Sequence, residues 1–269
     1  MPDQQFFESD AFAQLATQED GHFWFEERNL LLEWCLRRFL PECRSFCEIG
    51  CGTGFVSRHL ESAFPEIEFV GAEFFTEALQ FATRRAKRCR FLQTDARFLP
   101  FQSVFDGIGA FDVLEHIDED EQVLQQFHRA LRPAGGLILT VPQHRFLWSS
   151  TDEQAHHKRR YSRGELLSKV TRAGFRPVLC TSFVTSLLPF MLASRWLNAR
   201  DAAKATSDPA PVSNREFDLP PLINRAFRAA LAAERLMIRG GIRFPAGGSL
   251  VLVAIKQPEG ATDSPHRSC

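Results

Sequence analysis

The chain has 269 residues, 44% of them hydrophobic, which is enough for one sizeable α/β core with an elaboration. Its 32 Lys and Arg nearly cancel its 33 Asp and Glu, so no global field draws it to nucleic acid, and a nucleic-acid role has no electrostatic support. The seven cysteines are odd in number and scattered, and no charged-then-apolar leader precedes them, which predicts reduced thiols and a cytoplasmic protein.

The first twenty residues read as polar and irregular. Residues 22–40 read as an aromatic entry (Phe23, Trp24, Phe25) leading into an amphipathic helix through Leu31, Trp34, Cys35 and Phe39, which Pro41 ends. From there short apolar runs alternate with helical patterns, the signature of βαβ units and a parallel sheet. Strands are predicted over 45–49, 67–71, 89–93, 105–111, 137–141, 175–181 and 249–255. A glycine turn over 50–54 opens a helix reaching about Phe64, and Phe75, Leu79, Ala82 and Ala86 mark the next. Val123, Leu124, Phe127, Ala130 and Leu131 share one face of a third helix, which Pro133 and Gly135-Gly136 stop. Leu166, Leu167, Val170 and Ala173 mark a fourth, with Gly174 as its C-cap.

Residues 178–194 carry no charge, yet Pro189 and several Thr and Ser interrupt them and they fall short of a bilayer span. They are expected to form a buried strand running into a buried helix. The predicted organisation is an N-terminal helical segment (1–42), an α/β core (43–182), a helical insertion (183–247) built on Leu187–Leu192 and a helix through Leu222, Ile223, Ala226, Phe227, Ala230 and Leu231, a last core strand (248–256) and a disordered tail (257–269). The fold expected is doubly wound α/β: a mostly parallel seven-stranded sheet, its last strand antiparallel, with the insertion before that strand.

Strand one runs into Glu48-Ile49-Gly50-Cys51-Gly52-Thr53-Gly54, a turn that lets a ligand approach the backbone closely. A dinucleotide turn wants G-x-G-x-x-G, but Phe55 stands at the third glycine position. A phosphate loop wants Lys and then Ser or Thr after its last glycine, but Phe55 and Val56 follow Gly54. Acids then fall at successive strand ends: Glu73 in Phe69–Glu73, Asp95 in Gln93–Ala96, and Asp112 in Phe111-Asp112-Val113-Leu114-Glu115-His116. Leu131-Arg132-Pro133-Ala134-Gly135-Gly136 precedes strand five. Singly, each acid can be a polar strand end or a helix cap. Together they stand in order where open α/β sheets bind ligands.

These five ordered motifs resemble those of the class I S-adenosylmethionine-dependent methyltransferases, and within them, more loosely, bacterial small-molecule and ubiquinone-pathway enzymes. The resemblance implies S-adenosyl-L-methionine as cofactor. That molecule carries a ribose diol, an adenine amine and a zwitterionic amino acid end but no phosphate, so its site needs acceptors more than cations. Glu73, with Phe74 beside it, is placed to accept the ribose hydroxyls, and Asp95 the adenine amine, with the Ala96 amide facing the ring. By resemblance, Gly50, Phe111 and Asp112 hold the amino acid end, Cys51, Gly52, Thr53 and Gly54 form the rest of the turn, and Glu48 supports it.

The implied reaction is methyl transfer to a small-molecule acceptor that is aromatic, lipid-linked or a sugar, with O-methylation favoured by a histidine-rich loop after strand five. His144, His156 and His157 are the candidate general bases there, against the alternative of solvated loop residues, and the run 158–163 offers arginines for a phosphate or carboxylate. His116 either lines the pocket or caps a helix. The insertion can form an apolar acceptor pocket or rest on a membrane surface, as an alternative to additional core. No metal site is expected: Cys43, Cys47 and Cys51 straddle a strand and its turn and cannot converge on one ion. The competing classes are a nicotinamide oxidoreductase, which Phe55 opposes, and a non-catalytic protein that keeps the fold as a binding module, which the intact turn opposes.

Overall fold

In the computed structural model, residues 9–202 and 219–257 are described. Helices α1 (Ser9–Gln18) and α2 (Phe23–Phe39) precede β1 (Ser45–Ile49), α3 (Phe55–Ala63), β2 (Glu68–Glu73), α4 (Thr76–Arg85), β3 (Arg90–Gln93), β4 (Phe105–Phe111), α5 (Asp120–Ala130) and β5 (Leu131–Pro142). Then follow α6 (Ser150–Gln154), α7 (Arg163–Arg172), β6 (Phe175–Phe183), α8 (Leu188–Ala202), α9 (Pro221–Arg239) and β7 (Ser249–Lys256). The seven strands form one sheet in the order β3-β2-β1-β4-β5-β7-β6. β1 pairs in parallel with β2 and β4, and β7 runs antiparallel between β5 and β6, as expected.

Strands β1, β4 and β5 are buried almost throughout, which is why they read as near-continuous apolar runs rather than alternating ones. Helices α2, α3 and α9 cover one face around Leu31, Leu36, Phe46, Phe69 and Leu231. Helices α5 and α7 cover the other around Ile108, Phe127, Leu166 and Phe175. The chain reverses its winding between β1 and β4, so the carboxyl ends of these two strands open a crevice at the topological switch point.

Three expectations need correction. The N-terminal stretch is not irregular: Ser9–Gln18 is helical, and Phe12 packs on Phe75 of the β2–α4 connection with ring centroids 5.7 Å apart. β5 starts at Leu131 rather than 137, because Leu131 pairs with Phe105 before Arg132–Gly135 bulge out and pairing resumes at Gly136 opposite Gly107. Pro133 sits in that bulge, where its missing N–H costs no ladder bond. Finally, the uncharged stretch does run from a strand into a helix, but α8 is not buried: Phe190 and Trp196 are 62% and 55% exposed. Most of the expected linker (203–218) and all of the expected disordered tail beyond Gln257 lie outside the described residues.

Candidate active site

The crevice at the switch point widens into one open cavity of about 2890 Å³. The glycine turn forms one wall. Gly50, Gly52 and Gly54 all take positive φ (69°, 51° and 77°), which side chains rarely adopt. A Cβ on Gly50 would lie 2.4 Å from Val113 Cγ2, and one on Gly54 2.7 Å from Ala82 Cα, so these two let neighbouring elements close on the turn. A Cβ on Gly52 would meet nothing within 4 Å. Gly52 is therefore where a ligand can lie directly on the backbone.

Glu73 ends β2 beside this opening. Its carboxylate accepts from the Gly52 N–H at 2.8 Å and from the Phe74 and Phe75 N–H groups at 2.7 and 3.0 Å. Burial raises its pKa, and the three amide bonds work against that rise. Glu48, at the end of β1, is fully enclosed. It accepts from the Ser57 hydroxyl in the first turn of α3, and burial pushes its carboxyl up to about 8. Thr53 donates to Glu19, which also pairs with Arg85, while Arg85 donates to the Ala16 carbonyl. These bonds latch α1 across the turn and onto α4. The sequence reading missed this closure because it missed α1.

At the end of β3, Asp95 caps a 3-10 turn (Ala96–Phe98) by accepting from the Arg97 N–H at 2.9 Å, and it pairs with the Arg97 guanidinium at 2.7 Å. Burial opposes ionisation there, but the Arg97 bonds outweigh it and hold the acid below the usual range. Asp112, just past β4, takes a positive φ of 57° and receives Arg28 Nη1 from α2 at 2.5 Å. The Arg28 guanidinium lies over the Trp24 ring, 4.5 Å from its centroid. Arg28 was not singled out from sequence, since nothing local to α2 announces a partner 84 residues away.

The loop after β5 forms the opposite wall. A single parallel bridge between Gln143 and Tyr161 closes it, and the Tyr161 hydroxyl donates to Asp120 at 2.7 Å. Inside it, Asp152 is fully buried and accepts from Arg160 Nε at 2.7 Å, His157 Nδ1 at 2.8 Å and the Ser149 N–H at 2.8 Å. Arg159 pairs with Asp120 at 2.9 Å, so these two arginines already have carboxylate partners within the protein. Of the three loop histidines, His156 and His157 line the cavity and His144 does not. His144 stacks on Phe146 with centroids 4.8 Å apart. His157 lies edge to face with His116, 4.7 Å between centroids, and burial lowers His116 to about 4 with help from His157. Glu115, next to His116, is fully buried and neither of its carboxylate oxygens has a hydrogen-bond partner. Sequence reasoning quoted Glu115 within a motif but gave it no role; the signal was an acid and a histidine side by side at a strand end.

The far end of the cavity is apolar, lined by Leu187, Phe190 and Met191 of the β6–α8 segment and Phe227 of α9. Glu234 fixes this corner by accepting from the Thr185 and Ser186 N–H groups at 3.0 and 2.9 Å.

The donor set suits S-adenosylmethionine. Acceptors predominate along the near wall (Glu48, Glu73, Asp95, Asp112), Gly52 leaves room for a close approach, and Phe12, Phe74, Phe75 and Phe98 supply apolar surface for a base. When bound, the cofactor supplies an electrophilic methyl group on a sulfonium.

Comparison with known proteins agrees. Residues 46–135 match the model of a methyltransferase domain. The chain is 31% identical over 107 residues to a trans-aconitate 2-methyltransferase of Variovorax paradoxus, covering 39% of this chain and 41% of that one. It is 26% identical over 171 residues to a malonyl-[acyl-carrier protein] O-methyltransferase of Enterobacter lignolyticus, covering 60% and 66%. It thus spans less than two thirds of the length of either relative. Among solved structures, phosphoethanolamine N-methyltransferase 2 of Haemonchus contortus, in complex with S-adenosyl-L-methionine, superposes with a TM-score of 0.59 at 16% identity, covering 95% of this chain and 59% of that one, a likeness of fold. The motifs, the sheet order and the matched domain are similar to those of the class I S-adenosylmethionine-dependent methyltransferases, and the relatives matched include bacterial enzymes named for small-molecule methylation.

Proposed function

We propose that the protein transfers a methyl group from S-adenosylmethionine to an oxygen of a small acceptor with an apolar body. The observation that carries this reading is the continuity of the cavity. It runs from the glycine turn and Glu73, past Glu115, His116 and His157, to the apolar wall of Leu187, Phe190, Met191 and Phe227. In this reading Glu73 takes the ribose hydroxyls while still accepting the Gly52 amide. Asp95 shares the adenine amine with Arg97, next to the Ala96 amide. Gly50, Cys51, Thr53, Gly54, Phe74, Phe111 and Asp112 frame the cofactor, and Arg28 faces its carboxylate. The acceptor oxygen sits against His157, which Asp152 holds by its Nδ1. An in-line displacement needs the two reactants oriented and dry more than it needs new charge, and the latched α1 and the closed loop serve that end. Both curated relatives are named as methyltransferases and one as an O-methyltransferase, which supports an oxygen acceptor here.

The test is transfer of label from methyl-labelled S-adenosylmethionine to a panel of hydroxyl- and carboxyl-bearing aromatic, sugar and prenyl-linked compounds. Label appearing as a base-stable methyl ether or a base-labile ester identifies the acceptor atom. Label on nitrogen alone would refute oxygen transfer, and binding of the cofactor without turnover on any acceptor class would favour a non-catalytic module.

A lipid-linked acceptor has a separate support. Leu222, Ala226, Ala229, Ala233 and Leu236 follow one another at helical spacing along the exposed side of α9, with Leu222 78% and Leu236 59% exposed, and Arg225 and Arg239 are exposed on the same helix. Such a face suits an anionic bilayer surface. No helix of the described residues is long and apolar enough to cross a membrane. Co-sedimentation with phosphatidylglycerol vesicles but not with phosphatidylcholine vesicles is expected, and a Leu222→Ser, Leu236→Ser variant should lose it. Equal recovery in the supernatant with both lipids refutes surface contact.

A further inference from the structure

We infer that Glu115, His116 and His157 form a binding site for one divalent first-row transition-metal cation on the wall of the cavity. Each residue offers one ligand atom, and the three atoms all lie within 4.8 Å of one another. The set is mixed, one carboxylate and two imidazoles, which suits borderline cations such as Zn²⁺, Mn²⁺, Fe²⁺ or Co²⁺ better than Ca²⁺.

Two independent features point to a cation. Glu115 is 0% exposed and both its oxygens lack a hydrogen-bond partner. A carboxylate in that state is costly to bury unless something positive meets it. The two nearest guanidiniums give their hydrogen bonds to other acids: Arg28 is bonded to Asp112 at 2.5 Å and Arg160 to Asp152 at 2.7 and 3.0 Å. The second feature is the support behind the His157 imidazole. His157 Nδ1 is engaged by the fully buried Asp152 at 2.8 Å, which fixes the ring and leaves Nε2 as its ligating atom. Asp152 is itself held by Arg160 and by Ser149, and the Lys158 N–H donates to the Glu115 carbonyl at 2.7 Å, tying the loop that carries His157 to the strand end that carries Glu115.

Three protein ligands leave coordination positions open toward the cavity, where oxygen atoms of the acceptor can bind. A cation there makes a bound hydroxyl more acidic and fixes it in place. That role rests on the methyl-transfer reading, whereas the site itself rests on the three residues and their supports.

The test is a titration of tag-free, chelator-stripped protein with Co²⁺, followed by its visible d–d absorption. The expected result is a saturable band at one equivalent per chain, abolished by chelator, with Co²⁺ affinity lowered at least 10-fold in Glu115→Gln and in His157→Asn, and about 10–100-fold in Asp152→Asn, which keeps all three ligands but weakens the support of His157. Circular dichroism reports whether each variant folds. If Glu115→Gln does not fold, His157→Asn answers alone, since that ring is at the cavity wall and partly exposed. Absence of a stoichiometric band in the unaltered protein, or the same affinity in the folded variants, overturns the proposal. S-adenosylhomocysteine is titrated into the same stripped protein. Cofactor binding without a Co²⁺ site removes the cation proposal and leaves the methyl-transfer reading, and the reverse pattern does the opposite.

Discussion

Replacing Asp152 by Ala tests how the loop that carries His157 is held. The Asp152 side chain is 0% exposed and accepts from Arg160, His157 and Ser149, while the Arg160 side chain is only 8% exposed. The variant strands a buried guanidinium and an imidazole. Breaking one partner of a buried pair costs about 3–5 kcal/mol. At roughly 2–4 °C per kcal/mol for a domain of this size, the melting temperature should fall by roughly 6–20 °C. An Asp152→Ala, Arg160→Met double variant removes both charges and should recover most of the loss, because the penalty is the orphaned charge rather than the missing bonds. Burial alone would raise the Asp152 pKa, but the His157 and Arg160 bonds hold it well below the usual carboxylate range. The sign follows: the pair's contribution is present above the unfolded value near 3.9 and is lost as pH falls through the lower folded one. The melting curves of the two proteins should therefore differ fully at pH 7 and converge only below about pH 4. Calorimetric melting across that range is the assay. A single variant within about 1 kcal/mol of the unaltered protein at pH 7 would show that the loop is held otherwise, as exposed pairs of that worth hold little.

Glu48 carries the opposite sign. Burial raises it to about 8, so the folded state holds a proton that the unfolded chain releases, and stability falls as pH rises from near 4.5 toward 8. Glu48→Gln should flatten that decline in melting temperature between pH 5 and pH 8, and an unchanged slope would contradict a buried neutral carboxyl. Arg85→Ala removes the bonds to Glu19, Thr53 and the Ala16 carbonyl that latch α1. Limited proteolysis should then cut within α1 faster, with weaker S-adenosylhomocysteine binding, and equal cleavage rates would show that Phe12 and its apolar neighbours hold the helix alone.

How much of this was legible in the sequence depended on how local each signal is. The core strands were, because residues such as Phe46–Ile49 and Ile108–Phe111 are buried on both sheet faces and so read as short apolar runs. The glycine turn was, because its positive φ values restrict the residue types there. The start of β5 was hidden: Pro133 and the glycines at 135 and 136 read as stop signals, although the strand merely bulges around them. Helix α1 was hidden because it is short and its worth lies in tertiary bonds to Arg85. Glu115 gained its meaning only from His157, 42 residues later in the chain, which no periodicity connects to it. Asp95 was placed correctly at a strand end, but its pairing to Arg97 depends on a side-chain direction that spacing does not give.

In the function proposed above, the crevice between β1 and β4 binds S-adenosylmethionine through Glu73 and the open backbone at Gly52. Calorimetric titration with S-adenosylhomocysteine, run on the unaltered protein and on Glu73→Ala, tests it most directly. Two charge-assisted bonds to the ribose, at about 1.5–3 kcal/mol each, predict saturable 1:1 binding that weakens by about 10²-fold or more in the variant. Binding of equal strength in a folded Glu73→Ala protein, or no binding by the unaltered one, would contradict the account.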